Sequence, residues 1–94
     1  MNNNNINMKA EIWILGIYLS DRMKESKQVQ SILTKFGCSI KTRLGFHEVT
    51  DDYCSTSGMI ILELTGDIAE CRKLENELLK LEFAEVKKMV FTQG

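Results

Sequence analysis

A strand-like apolar run followed by an amphipathic helical pattern occurs twice in these 94 residues, and the order this imposes, β-α-β-β-α-β, constrains the fold more than any other feature. Two helices that each carry one apolar stripe must bury it against the sheet the strands form. The expectation is a four-stranded antiparallel sheet with both helices on one face.

From Ala10 to Leu19, AEIWILGIYL is apolar on both alternating sets, Ile12/Ile14/Tyr18 and Trp13/Leu15/Ile17/Leu19. That pattern fits a central strand covered on both sides. Ser20 and Asp21 suit a helix N-cap, and Val29, Ile32, Leu33 and Phe36 follow at helical spacing before Gly37 offers a stop, so a helix is expected over 21–36. In CSIKTRLGFHEV, Ile40, Thr42, Leu44 and Phe46 alternate with Lys41, Arg43, Gly45 and His47, giving one apolar and one basic strand face. VTDDYCSTSG at 49–58 reads as a loop longer than a tight hairpin requires, and Gly58 opens a third, central strand, GMIILELTG. Asp67 and Glu70 have capping-box spacing, and Ile68, Cys71, Leu74, Leu78 and Leu81 form the stripe of a second helix. FAEVKKMVF, Phe83 to Phe91, closes the chain as a strand whose Lys87 and Lys88 suit a sheet edge. The fold class is α+β, a ferredoxin-like or ACT-like β-α-β-β-α-β sandwich. Residues 1–8, with four consecutive Asn, are expected to be a disordered tail, and 9–92 a single domain.

Composition narrows the functional classes. The formal charge is -1, with 44% hydrophobic and 27% charged residues, which gives no electrostatic reason to expect nucleic acid. MIILEL in the third strand lacks the aromatic pair of RNA-binding sheets, which argues further against it. The first fifty residues carry a net charge of +3 and the remainder -4, a weak hint of self-association. Ile12 to Leu19 falls far short of the roughly 20 apolar residues of a membrane-spanning helix, so no membrane partner is expected. Cys38, Cys54 and Cys71 are odd in number and widely spaced, which suits reduced thiols and a cytoplasmic location.

Two central strands apolar on both faces pose a problem that the sequence leaves open. Helices cover only one face, so the other must meet a second copy of the chain, the 49–58 loop or the N-terminal tail. Self-association through the sheet is the preferred expectation.

Candidate chemistry concentrates in RLGFHEVTDDYC. His47 with Asp51, Asp52 or Cys54 is competent for zinc or a similar ion, although one His without a second at ligand spacing is a weak signal; the metal candidates are His47, Asp52 and Cys54. Arg43, Gly45 and His47 share a strand face and form a candidate ligand-binding set for a small carboxylate or phosphate, with Gly45 permitting close approach. Alternatively, Arg43 pairs with an acid such as Glu63 on the adjacent strand. Cys71, on the apolar stripe, reads as a buried structural thiol, and Cys54 as the more oxidisable one. No nucleophile-base constellation, phosphate loop or split carboxylate pair is present, so an enzyme is not expected, and the sequence leaves any cofactor unknown.

TRLG at 42–45 with His47, GMIILELTGD at 58–67 and VKKM at 86–89 carry a resemblance covering roughly residues 10–91. The chain resembles the small bacterial regulators of the iron-only hydrogenase system, ACT-like proteins similar in fold to the C-terminal domain of nickel-responsive repressors. The resemblance implies a regulatory or ligand-sensing module that assembles through its sheet. Leu19-Ser20-Asp21-Arg22 lacks the turn glycine of amino-acid-binding ACT domains, and only His47 matches the nickel-repressor ligands in kind.

Overall fold

The computed structural model describes residues 10–20, 22–49 and 54–92. Its elements follow the expected order: β1 (Glu11–Leu19), α1 (Arg22–Lys35), β2 (Ile40–Val49), β3 (Cys54–Leu64), α2 (Ile68–Leu79) and β4 (Ala84–Thr92). They form one antiparallel sheet in the order β2-β3-β1-β4, with β1 and β3 in the centre as their apolar runs require. Both helices lie on one face. The fold is ferredoxin-like. The Asn-rich tail and the expected cap Asp21 lie outside the described residues.

Of the two apolar sets of β1, Trp13, Leu15, Ile17 and Leu19 are the ones beneath the helices. They pack with Ile60, Leu62 and Leu64 of β3, with Val29 and Leu33 of α1 and Phe36 after it, and with Cys71, Leu74 and Leu78 of α2. The spacing of these helical residues, three or four apart, is what puts them on a single stripe. Cys71 is buried, as expected, and its Sγ–H donates to the Thr65 carbonyl at 3.6 Å. Burial, reinforced by the nearby Asp67 carboxylate, pushes this thiol up from its ordinary value.

Several local expectations are corrected. Cys54 to Ser57 belong to β3 rather than to a long loop, and Gly58 is a mid-strand residue paired with both Leu19 and His47. Ser55, Thr56 and Ser57 read as turn residues by type, yet they lie within β3 between Cys54 and Gly58, which pair with Val49 and His47 of β2. The α2 helix ends at Leu79, and Leu81 joins the core from just beyond it. Asp67 caps α2 through a hydrogen bond from Ala69 N–H to Oδ1 at 2.9 Å, but Glu70 does not close a box; its carboxylate accepts from Lys73 Nζ at 2.9 Å instead. Gly37 opens a single 3-10 turn, Gly37–Ser39, rather than a left-handed cap.

The β2 strand departs most from simple alternation. An irregularity between Ile40 and Thr42 places Ile40 opposite Leu64 on the helix side and Thr42 opposite Glu63 on the other. Inserting one residue exchanges the faces of everything beyond it. Thr42 and Leu44 are thus paired with Glu63 and Ile61 on the uncovered face, and Arg43 and Gly45 with Leu62 and Ile60 on the helix side, while the backbone register continues through Phe46 opposite Met59 and His47 opposite Gly58.

Candidate functional site: the uncovered face of the sheet

Antiparallel pairing stacks the side chains of the uncovered face in rows across the strands. One row runs Met59, Tyr18, Glu85; the next runs Leu44, Ile61, Gly16, Lys87; a third runs Thr42, Glu63, Ile14, Met89; and Ile12 pairs with Phe91 beyond it. Leu44, Met89 and Phe91 are each more than half exposed, at 57%, 55% and 52%, and Tyr18 is 37% exposed. Ile12, Ile14, Met59 and Ile61 are half-buried. A contiguous apolar surface of this extent is the usual mark of an interaction site.

Its charges are few and local. Glu63 accepts from Thr42 Oγ1 at 3.0 Å and pairs with Lys41 Nζ at 3.8 Å. The acid that sequence reasoning offered to Arg43 is therefore taken by Lys41 and Thr42, because the irregularity in β2 turns Arg43 to the opposite face. Glu85 and Lys87, two apart on β4, form an ion pair at 3.4 Å. Between them, Gly16, Tyr18 and Met59 lies a hollow of about 490 Å³. A glycine at the centre of β1, flanked by Ile61 and Lys87, leaves that space. Sequence reasoning missed the hollow; the one available signal was a glycine inside an otherwise unbroken apolar strand.

The sequence-derived candidates lie elsewhere. Arg43 and Gly45 are exposed on β2, and among the described residues no carboxylate lies within ion-pair distance of Arg43. His47 pairs with Gly58 through its backbone, and Cys54 pairs with Val49, two residues further along β2, so the ladder does not set them opposite each other. The side chains of His47 and Cys54, together with Asp51 and Asp52, lie outside the described residues. Among the described residues no cluster of three or more His, Cys, Asp or Glu could hold a metal ion, and no described helix is long and apolar enough to cross a membrane.

These features define a ferredoxin-like α+β protein with one face of its sheet left uncovered by the described residues. The chain is similar to an uncharacterized protein, TM1266 from Thermotoga maritima, with 27% identity, 89% of this chain and 99% of that chain covered, and a TM-score of 0.73. It is also similar to CPII, a nitrogen regulatory PII-like protein from Thiomonas intermedia bound to ADP, AMP and bicarbonate, with 13% identity, 93% and 97% coverage and a TM-score of 0.60. The de novo designed protein Foldit4 shares the fold at 12% identity, 89% and 98% coverage and a TM-score of 0.55. A design with the same architecture shows that function must be argued from the site. No family model matches the chain, and no curated protein matches it.

Proposed function

We propose that this protein is a small, non-catalytic regulatory module that senses a ligand and self-associates through the uncovered face of its sheet, as a regulator associated with the iron-only hydrogenase system. The observation that carries this reading is the apolar surface of Ile12, Ile14, Tyr18, Leu44, Met89 and Phe91, which no described part of the chain covers. Strands of nine residues and more, at about 3.3 Å per residue and 4.8 Å between strands, make a face of roughly 30 by 19 Å. That footprint is close to the lower limit of what one partner contributes to a specific interface. The likeness to a nitrogen regulatory PII-like protein holding nucleotides supports a sensing role on this fold.

Arg43, Gly45 and His47 remain the proposed contact for a small anionic effector, since Arg43 is exposed beside a residue with no side chain. Native mass spectrometry of the purified protein tests the proposal. An oligomer is expected, with retained effector seen as a defined excess mass; a bare monomer at micromolar concentration would remove the basis of the reading.

A further inference from the structure

Gly16 is not explained by the chain's own fold. Its backbone is not in the left-handed region, and a Cβ added there would meet only Ile61 Cδ1, at an ordinary contact distance of 3.7 Å. Glycine weakens a strand interior and brings no side chain to pack, so a residue with neither a conformational nor a steric reason to be glycine marks space kept for something outside the chain. That space is the hollow of about 490 Å³, within the range of small-molecule sites.

The lining suggests the chemistry of the occupant. The floor is the bare Gly16 backbone beside Ile61, and the cross-strand neighbours Tyr18 and Met59 line one end, an aromatic ring and a polarizable thioether that suit a flat ring. Glu85 and Lys87 form the β4 rim. Their ion pair leaves the two side chains 61% and 80% exposed, so it contributes little and is readily exchanged for a ligand's own charges. The other charged group of the adjoining row, Glu63, is already engaged by Lys41 and Thr42.

We infer that the hollow binds a small planar ring compound that presents an N–H donor to Glu85 and an anionic group to Lys87, with its ring on the Gly16 backbone beside Tyr18 and Met59. This deepens the sensing role proposed above and rests on it. An aromatic amino acid and a purine nucleoside monophosphate share that chemistry.

Calorimetric titration of the full chain with L-tryptophan and, separately, with guanosine monophosphate tests the inference and tells the two sources apart. The expected result is one site per chain for at least one probe, the tighter probe identifying the source. Gly16→Val should weaken binding at least tenfold without lowering the melting temperature, because a β-branched residue suits a strand. Lys87→Gln should weaken it severalfold and flatten its salt dependence. If Gly16→Val does not fold, Gly16→Ala and Glu85→Gln carry the same test. Binding of neither probe at millimolar concentration, or binding indifferent to both the Gly16 and the rim substitutions, overturns the assignment. Sedimentation velocity on the same variants separates this question from self-association. Loss of assembly in Gly16→Val, without probe binding to the parent, would show a second copy filling the hollow and would also overturn it. A monomer that binds a probe through these residues would sustain it while removing the assembly reading.

Discussion

Two adjacent lysines, Lys87 and Lys88, end on opposite faces of β4. Lys87 pairs with Gly16 on the uncovered face, whereas Lys88 pairs with Leu15 on the helix side. There its ammonium lies 4.3 Å from the centroid of the Trp13 ring and 3.1 Å from Glu75 Oε1 of α2, while Trp13 Nε1–H donates to Glu11 at 2.9 Å. Lys88→Ala is expected to cost about 1–2 kcal/mol in urea unfolding, from the lost cation–π contact and the partly buried pair. Lys87→Ala should stay within about 0.5 kcal/mol of the parent, as solvent-facing changes do. The sequence shows both lysines at an edge; alternation separates their faces, but which face the helices take is not written locally. Cys71 carries a second residue-level prediction. A thiol whose folded pKa is raised adds stability that is complete below the unfolded value and is lost as pH rises through the folded one. Stability should therefore fall as pH climbs beyond the ordinary thiol value of 9.0, and Cys71→Ala should flatten that slope in pH-dependent chemical denaturation.

At the scale of elements, the α2 start shows how little of a capping pattern is needed. Asp67 supplies the bond to Ala69 N–H, and Glu70 contributes through Lys73 instead of the backbone. Asp67→Ala should lower stability by about 1 kcal/mol, measured by thermal or urea melts, whereas Glu70→Ala should cost only a few tenths, the worth of an exposed pair. Gly66, at φ 86°, makes the turn into this helix, and alanine there would be strained by about 1–2 kcal/mol although nothing obstructs its methyl group. Helix positions were legible because a period near 3.6 in apolar residues has one structural meaning. Strand limits were not: Ser55 and Ser57 have turn chemistry, yet they lie within β3 between Cys54 and Gly58, which pair with β2. The irregularity between Ile40 and Thr42 was equally hidden, since Ile40 to His47 alternate without a break in sequence.

For the whole molecule, the decisive feature is the imbalance between its two sheet faces. The covered face is held by residues such as Leu74, which is fully buried where α2 meets the sheet, and Leu74→Ala should cost about 2–5 kcal/mol in equilibrium unfolding by the usual cavity cost. The uncovered face should respond in the opposite way. Ile14→Lys would place an ammonium opposite Glu63, a favourable cross-strand pair within one chain, but at the centre of any face-to-face contact. The expected outcome in sedimentation velocity is a folded monomer with a melting temperature near that of the parent protein's own monomer. An unchanged assembly would show that association uses another surface.

Sequence alone determined the element order, the two central strands and the helix stripes, because these depend on periodicity, which is local and repeats over many residues. It also exposed the surplus of apolar surface, because two helices cannot cover both faces of four strands. Only the tertiary structure decided which alternating set of β1 lies beneath the helices, that Arg43 is turned away from Glu63, and that Gly16, Tyr18, Met59, Glu85 and Lys87 surround one hollow. The physical reason is register. Those residues come from three strands, and a shift of one position in any pairing would have sent each to the other face.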